Sequence, residues 1–394
     1  MRLATLAVKN VSRHKGRTAL TALGIAVAIV LFILMRTFVL SWTGAIEHAA
    51  KDRLGTRHKV TFIMPLPKKY VDEIGAMDGI AKVNGVPQVT YMNWFGGKDA
   101  AHPTEFFSTI ATDPETMLQV YDEILVDPKQ AAAWKANRQG ALIGDRLAHQ
   151  FGWKLGDKIV LTGTIFPGEW TFIVEGIYTA QRRTVDRSTL WFHWDYLNES
   201  PTVKPKDQVG WIATRVSDPS RSAAIAKQID KVFDERDVQT ITMSEKAMQQ
   251  SFLGMISAVL TAIDIVTVAI LVIIVLILGN TIAMAVRERT TEYGCLRAIG
   301  FRASHIAAFV VGESVTIGIL GGVLGVLIAQ LFINGLLGPA LEDNMGAFFP
   351  NFSMPPDLAL KGLLIAAGLA VIAALIPARQ ASKLRVVDAL RAVE

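Results

Sequence analysis

Four long apolar segments alternate with charged ones along this chain of 394 residues. They cover about 18–40, 262–286, 306–337 and 358–378, and a transmembrane helix needs roughly 20 apolar residues. The first is too long for the apolar core of a cleaved signal peptide. The third is longer than a bilayer requires, which predicts tilt or an extension beyond the lipid. We therefore predict four transmembrane helices, which we call spans 1 to 4.

The stretch between spans 1 and 2 has a different pattern, with short runs separated by Gly, Pro and Asp. All eight Trp lie between Trp42 and Trp211, which indicates a packed aromatic interior. Segments with the pattern of a strand include Lys59–Met64, Ile159–Gly163, Trp170–Tyr178 and Val209–Val216. Ser220–Phe233 has the pattern of a helix. The predicted fold class is therefore an α+β membrane protein, with four transmembrane helices and a large α/β domain between the first two.

The order of these elements predicts two lobes in the large domain. One lobe is assembled from 55–115 and 205–245, and the other, at 116–204, is inserted between them. Ser41–Leu54 and Thr242–Ser251 flank the domain, and we predict that they continue spans 1 and 2 as a helical stalk. Their mixed charge also permits flexible linkers.

Among the short segments that flank the spans, residues 1–18, 287–305 and 379–394 each carry several Lys and Arg, whereas residues 338–357 contain neither. Short cytosolic loops carry an excess of these residues. The bias predicts that both termini and 287–305 are cytosolic, and that 41–251 is extracytoplasmic. The net charge of +5 is then explained by membrane flanks, and we do not expect nucleic-acid binding.

The sequence offers little catalytic chemistry. It has no phosphate-binding loop pattern, because Gly96-Gly97-Lys98-Asp99 lacks the hydroxyl that holds magnesium, and no nucleophile elbow. Cys295 is the single cysteine, the seven His show no metal-ligand spacing, and His193 is interpreted as a packed histidine. We therefore predict a non-catalytic subunit without cofactor or metal.

Small residues in span 3 predict close helix packing. Gly318 and Gly322 are four residues apart, as are Gly321 and Gly325, so both pairs fall on nearly one face. Packing within one chain and a seam between two subunits are both open.

Arg36 and Asp264 lie near the same predicted membrane surface, at the end of span 1 and the start of span 2. Each would be costly against lipid, so we expect snorkelling or, slightly less favoured, a direct salt bridge.

These features occur together in a known family, and the chain resembles permeases of the MacB/FtsX/LolC type, also called type VII ABC transporter subunits. The resemblance covers nearly the whole chain. Its motifs are Arg17–Val27, Ile143–Ala148, Gly156–Ile159, Phe172–Tyr178, Arg287–Gly300, Glu313 with the four glycines of span 3, Pro377–Ser382 and Asp388–Arg391.

The resemblance implies a domain order. Residues 1–40 hold the cytosolic N-terminus and span 1, 41–251 a MacB-like core domain with stalks, and 252–394 the FtsX-like spans 2 to 4 with the cytosolic tail. Residues 287–305 would dock an ATPase on a separate chain; the open alternative is an ordinary positively charged loop. The implied docking residues are Arg287, Glu288, Arg289, Glu292, Gly294, Arg297, Ala298, Ile299 and Gly300. The apolar residues Tyr293, Leu296 and Ile299 recur at a helical spacing of three, which predicts an apolar face on a short helix. Gly294 or Gly300 would let another backbone approach closely or would end this helix in a left-handed turn.

The resemblance also implies partners and a function. The partners would be two copies of an ABC ATPase subunit, a second permease (identical or related), membrane lipid, and an adaptor or lipoprotein outside the plasma (inner) membrane. The permease would couple ATP hydrolysis to movements of its outer domain, for export or extraction of a substrate. The alternative function is transmembrane signalling that regulates an extracytoplasmic partner such as a cell-wall hydrolase.

Overall fold

The structure is a computed structural model that describes residues 15–384, apart from 48–49, 103, 106, 183–184, 256, 345–348 and 350. The chain divides into two compact units. The membrane unit comprises Met1–Val39, Ser257–Leu337 and Ser353–Glu394, and the large domain comprises Leu40–Ile256 and Gly338–Phe352. The sequence analysis placed 338–352 with the spans, whereas the structure groups this segment with the large domain.

The helices alternate with short strands in the large domain and follow one another in the membrane unit. In chain order they are α1 (Lys15–Glu47), α2 (Lys69–Gly75), α3 (Met117–Val120), α4 (Pro128–Ala136), α5 (Asp145–Phe151), α6 (Trp194–Asn198), α7 (Ser222–Phe233), α8 (Glu245–Met255), α9 (Ser257–Glu288), α10 (Thr290–Ala298), α11 (Ala303–Phe332), α12 (Gly338–Asn344) and α13 (Pro356–Ser382). A 3₁₀ turn at Pro219–Arg221 precedes α7, and a π-helical turn at Ile333–Leu337 joins α11 to α12.

Among the described residues, four helical stretches are long and apolar enough to cross a membrane. They are Thr18–Ser41, Ser257–Glu288, Ala303–Asp343 and Pro356–Ser382. At most a third of the most apolar part of each is buried inside the chain, which leaves a wide apolar surface. Such a surface is stable against lipid tails and costly in water. The four transmembrane helices predicted from the sequence are confirmed.

Span 3 is unusually long. Ala303–Asp343 contains 41 residues, which at 1.5 Å per residue amounts to about 60 Å of helix. The hydrocarbon core of a bilayer is roughly 30 Å thick. The last residues of this run, from Gly338, belong to the large domain.

The large domain is built on one mixed sheet of eleven strands, with two further two-stranded ribbons among the described residues. Its order is β15-β1-β14-β5-β7-β12-β9-β11-β10-β6, and β8 pairs with β11 off this path. In chain order the strands are β1 (Arg53–His58), β2 (Leu66–Pro67), β3 (Lys82–Val83), β4 (Val86–Pro87), β5 (Val89–Trp94), β6 (Gly97–Asp99), β7 (Ser108–Thr112), β8 (Ile124–Leu125), β9 (Gly140–Gly144), β10 (Lys158–Gly163), β11 (Gly168–Ala180), β12 (Thr189–His193), β13 (Gln208–Val209), β14 (Trp211–Arg215) and β15 (Thr240–Ser244).

The strands of the two predicted lobes occupy the two halves of this sheet. β15, β1, β14, β5 and β7 form one half, and β12, β9, β11 and β10 form the other, with β6 crossing to the far edge. The halves meet where β7 pairs in parallel with β12. One apolar core runs under both halves, from Leu54 to Phe172 and Phe233. The division into lobes stays a prediction, and the sheet and core continue across it.

The predicted stalks are wrong over part of their length. The helix of span 1 ends at Glu47, residues 48–49 lie outside the described residues, and the chain enters β1 at Arg53. Before Ser251, the second segment is strand β15 up to Ser244 and becomes helical only at Glu245. β-Branched Thr and Ile favour strands, and the hydroxyls of Thr56 and Thr242 lie 2.9 Å apart inside the sheet.

The strand predicted at Lys59–Met64 is also wrong. The strand is Arg53–His58, immediately before it, and the predicted segment is irregular chain with Val60 and Ile63 exposed. An apolar run that leaves the sheet cannot be told from a buried strand by its pattern alone.

Candidate functional site

The charged segment between spans 2 and 3 forms a short helix of its own. α9 ends at Glu288, α10 covers Thr290–Ala298, and α11 begins at Ala303. We call residues 287–305 the docking segment. Its predicted apolar face is only partly right, because Tyr293 is buried and Leu296 half-buried, whereas Ile299 is 78% exposed.

Gly300 directly follows the last turn of α10 and ends the helix. Its φ of 103° lies in the left-handed region, which glycine adopts without a steric penalty. The amide of Gly300 donates to the carbonyl of Arg297 at 3.1 Å, and that of Phe301 donates to the carbonyl of Leu296 at 3.1 Å. This pair of bonds is a Schellman motif, so Gly300 acts as the sequence analysis expected of a helix-ending glycine.

Arg289 attaches the docking segment to span 3. Its side chain is buried, and its Nη1 donates to both carboxylate oxygens of Glu313, at 3.0 and 2.9 Å. Either charge alone would be costly at this depth, and the pair offsets much of that cost. Tyr293, one turn further along α10, is buried beside the pair, and burial together with the charge of Glu313 raises the pKa of Tyr293 to about 12.

Arg297 attaches the other end of α10 to span 4. Its Nη1 donates to the backbone carbonyl of Ser382 at 2.8 Å, and Ser382 is the last residue of α13. α10 is thus held at Arg289 and again at Arg297, two turns later. A helix fixed at both ends moves with the spans to which it is fixed.

Six of the nine predicted docking residues are exposed, and we call these six together the docking face. They are Arg287, Glu288, Glu292, Ala298, Ile299 and Gly300. The other three are placed differently, because Arg289 and Gly294 are buried and Arg297 is half-buried against span 4. The prediction that Arg289 and Gly294 contact a partner directly is corrected accordingly.

A small cavity of about 40 Å³ lies beside the Arg289–Glu313 pair. Hydroxyl groups from three spans line it, those of Thr18, Thr281 and Ser314 among them. Its size suits one or two water molecules rather than a transported substrate. Within the described part of the chain, no three His, Cys, Asp or Glu residues come together as a metal site.

The glycines of span 3 pack against two other spans of the same chain. A Cβ on Gly318 or Gly322 would lie 2.6–2.7 Å from the Cβ of Ala370 or Ala366 in span 4. A Cβ on Gly321 or Gly325 would lie 2.7–2.8 Å from backbone oxygens of span 1. The four positions share an arc of about 100° on the helix, but that arc divides between two neighbours. Both pairs are therefore occupied by packing within one chain.

Arg36 and Asp264 form a direct ion pair between spans 1 and 2. Nη1 of Arg36 lies 3.0 Å from Oδ1 of Asp264, and both side chains are about half exposed. The slight preference for separate snorkelling is not what the structure shows.

The large domain contains a second buried charge cluster, at the end of β1 that follows span 1. Arg53 is 4% exposed, and it donates to Glu123 at 2.6 and 3.1 Å and to Glu245 at 2.8 Å. Its guanidinium also lies 4.1 Å from the centre of the Tyr121 ring. Glu245 is the first residue of α8, which leads towards span 2. Arg53 thus joins the two chain segments through which the domain connects to spans 1 and 2.

Residues that resemble catalytic elements have structural roles. Lys98 lies in the edge strand β6, which pairs with β10, and no helix follows it as in a phosphate-binding loop. His193 is buried, and its Nε2 lies 2.7 Å from the carbonyl of Trp134. Burial lowers the pKa of His193, so the ring is neutral and donates that hydrogen bond.

The sequence analysis missed the partners of these charges. Glu313 entered only through a family motif, and Arg53 and Glu245 were not singled out at all. A signal for the first existed, because an acidic residue inside an apolar span requires a cation nearby, and Arg289 is the buried arginine of the docking segment. The bond from Arg297 to the Ser382 carbonyl has no signal in the sequence.

Comparison with known protein families gives two matches that together cover most of the chain. A sequence model described as the MacB-like periplasmic core domain matches residues 18–232, more than half of the chain. A second model, described as the FtsX-like permease C-terminal, matches residues 265–386. A membrane permease subunit is therefore the class that the fold defines. The chain belongs to the family of MacB- and FtsX-like ABC transporter permeases.

Individual relatives agree with this assignment. An uncharacterized ABC transporter permease of Methanocaldococcus jannaschii is 25% identical, over 99% of this chain and 97% of the relative. The ABC transporter permease YtrF of Bacillus subtilis is 36% identical over 36% of this chain and 31% of YtrF. The pyoverdine export ATP-binding/permease protein PvdT of Pseudomonas fluorescens is 24% identical over 96% of this chain and 57% of PvdT. The chain thus spans nearly all of the first relative, but a third to just over half of the other two.

Among solved structures, the periplasmic region of MacB from Actinobacillus actinomycetemcomitans is similar to 52% of this chain, with a TM-score of 0.39 and 10% identity. Membership of the family and the four apolar helices together imply a multi-pass protein of the inner membrane. The family also implies an ATPase partner, and permeases of this kind are generally non-catalytic.

Proposed function

We propose that this permease binds a separate ATPase through its docking face and passes the movement of that ATPase to the large domain. In this arrangement the termini and the docking segment are cytosolic and the large domain is extracytoplasmic. Two permeases and two ATPase subunits would form the complete transporter. The observation that carries the proposal is that α10 is bound to spans 3 and 4 while its docking face is exposed.

The bonds between α10 and spans 3 and 4 matter for this proposal. If α10 were not bonded to the spans, a force on it would bend the connecting residues and would not move the spans. Arg289 donates two charged hydrogen bonds to Glu313, and such bonds are stronger than neutral ones. A push on the docking face would therefore move spans 3 and 4 together. The exposed Ile299 side chain offers an apolar contact, and Arg287, Glu288 and Glu292 offer charges of both signs.

Export or extraction of a substrate is the function that the relatives favour. MacB proteins of Yersinia pestis are named for macrolide export and PvdT for pyoverdine export. Those substrates are theirs, and for this chain we propose only the reaction class, ATP-driven movement of a substrate at or outside the membrane. The cavity beside Glu313 is too small to hold such a substrate.

Co-purification of the tagged cognate ATPase with variants of the docking face tests this proposal. Ile299→Asp removes the exposed apolar side chain and Glu292→Arg reverses a charge, and neither alters the anchors Arg289 and Arg297. Burying an Ile side chain contributes about 1.5–3 kcal/mol, so Ile299→Asp should reduce the recovered ATPase about tenfold or more. Insertion of the permease into membranes should be unchanged.

The matched controls are Ile63→Asp and Glu235→Arg, which make the same changes at exposed positions of the large domain. They should leave recovery of the ATPase at the wild-type level. If Ile299→Asp and Glu292→Arg both recover as much ATPase as the wild type, the docking segment is an ordinary loop and the proposal fails.

A further inference from the structure

The segment between spans 3 and 4 is part of the large domain. Gly338–Phe352 groups with Leu40–Ile256 rather than with the spans that it connects. Its helix α12 follows α11 through the π-helical turn Ile333–Leu337, so the run from span 3 has no intervening coil. The large domain is therefore continuous in chain with spans 3 and 4 as well as with spans 1 and 2.

Arg146 fastens α12 to the body of the large domain. Its Nη1 lies 3.0 Å from Oδ1 of Asp343, and its Nη2 pairs with Oε2 of Glu342. Glu342 is buried, and its other oxygen accepts the amide hydrogen of Phe352 at 2.7 Å. Glu342 thus links α12 to Phe352 at the end of the segment, and Arg146 links Glu342 to α5.

The sheet determines where Arg146 lies. β9 ends at Gly144 and α5 begins at once with Asp145. A Cβ at Gly144 would overlap the carbonyl of Arg187, so this close approach requires glycine. Asp145 pairs with Arg187, with 2.6 Å between Oδ1 and Nε, and this hydrogen bond raises the pKa of Arg187. Asp145 is thus held by Arg187, and the next side chain, that of Arg146, faces Glu342.

We propose that Arg146 is a positioning residue that couples the large domain to spans 3 and 4 through α12, as a second connection beside the one through spans 1 and 2. This inference rests on the proposed function. A load on α10 reaches span 3 at the Arg289–Glu313 pair. The helical run of span 3 carries it to Glu342 and Asp343, and Arg146 passes it to α5 and β9.

An ion pair suits this position because its partners are adjacent acids. Glu342 and Asp343 repel each other unless a cation lies between them, and Arg146 is the side chain that contacts both. The planar guanidinium offers donors in two directions at once, which a lysine ammonium does less well. Arg146→Gln removes the charge and shortens the side chain, so the bridge to the two acids is lost, whereas Arg146→Lys keeps the charge and part of the contact.

Hydrogen exchange of the reconstituted permease–ATPase complex tests the proposal, with and without ATP held by a hydrolysis-deficient ATPase. In the wild type, ATP should change exchange in both α8 and the β9–α5 segment, residues 140–151. In Arg146→Gln, exchange of the peptide containing Phe352 should become about tenfold faster, because Glu342, which accepts the amide hydrogen of Phe352, loses the arginine that positions it. The ATP-dependent change in β9–α5 should disappear, whereas that in α8 should remain.

The matched control is Arg236→Gln, which breaks the Arg236–Glu73 ion pair, 3.1 Å long, elsewhere in the same domain. It should leave both ATP-dependent changes intact. If Arg146→Gln retains the change in β9–α5, or if Arg236→Gln abolishes it equally, the inference is overturned and the proposed function stands. If the wild type shows no ATP-dependent change anywhere in the large domain, both fail.

Trp fluorescence of the large domain would reveal whether Arg146→Gln unfolds it. If it does, Arg146→Lys tests whether Arg146 couples the large domain to spans 3 and 4. The lysine variant should fold and give an ATP-dependent change in β9–α5 between zero and the wild-type value. A full wild-type response together with faster exchange at Phe352 would overturn the proposal, because the contact would then be weakened without consequence.

Discussion

Replacing Arg53 by Met should destabilise the large domain by about 3 kcal/mol. Met keeps the apolar stem but removes the guanidinium, which donates to Glu123, to Glu245 and to the carbonyl of Val120. Burial by itself would lower the pKa of Arg53, but Glu123 and Glu245 raise it overall, so the native cluster contains the cation. The variant leaves two carboxylates facing each other without it.

The magnitude follows from the surroundings. Removing one partner of a buried charge pair costs about 3–5 kcal/mol. Two features favour the lower end of this range. The Val120 carbonyl keeps a donor, because Nε of Arg215 lies 2.9 Å from it. The side chains of Glu123 and Glu245 are 21% and 20% exposed, so water can reach them once the arginine is gone.

Tryptophan fluorescence of the purified permease in detergent measures this change, because all eight Trp lie within Trp42–Trp211. For a domain of about 200 residues, 1 kcal/mol shifts the melting temperature by about 2–4 °C, so the expected shift is about 6–12 °C. The control Arg236→Met breaks an exposed ion pair with Glu73 and should cost at most about 1 kcal/mol.

A double-mutant cycle with Glu245→Gln shows whether charge is the cause. In the wild type this change should destabilise, because it weakens the contact with Arg53. In the Arg53→Met background it should stabilise, because it relieves repulsion between Glu245 and Glu123. The reasoning is refuted if Arg53→Met costs no more than the exposed control, or if Glu245→Gln has the same effect in both backgrounds.

Gly322→Leu should lower the yield of folded permease after detergent extraction, because its Cβ would lie 2.7 Å from an alanine of span 4, whereas Gly368→Leu, where a Cβ meets open space, should be tolerated. Glu313→Gln should reduce co-purification of the ATPase, because it leaves the buried arginine of the docking segment without its counter-charge; unchanged recovery would count against that anchor. Burial lowers the pKa of His193, so protons bind the unfolded chain more readily and stability should fall as pH drops below about 6.5; urea midpoints should show a flatter pH dependence in His193→Gln than in the exposed-site control His149→Gln. The purified permease alone should not hydrolyse ATP in a phosphate-release assay, since its sequence lacks a phosphate-binding loop.

The spans were predictable because a bilayer imposes a strong and simple requirement. Each needs about 20 apolar residues with few charges, and no soluble segment of this chain satisfies that. The helix end at Gly300 was also predictable, because glycine adopts the left-handed φ of 103° that ends α10. In both cases a local sequence property determines the local structure.

The partners of the charges were not predictable, because they depend on segments far apart in the chain. Arg53 meets Glu123 and Glu245 only after β1, α3 and α8 have assembled around it. Nothing local distinguishes it from Arg57, a few residues later in the same strand. The predicted start of the second stalk was wrong for a related reason. Thr242 pairs with Thr56 of β1 and is therefore part of the sheet.

Charged contacts of the same kind lie within the large domain near the places where the chain passes into the spans. Arg53 bridges the segments that lead to spans 1 and 2, and Arg146 binds α12, which follows span 3. Partly buried ion pairs add little net stability compared with apolar packing, but breaking one partner is costly and their geometry is directional. Replacing a whole cluster by well-packed apolar residues should therefore leave the stability of the large domain about unchanged, whereas removing the arginine alone should lower it.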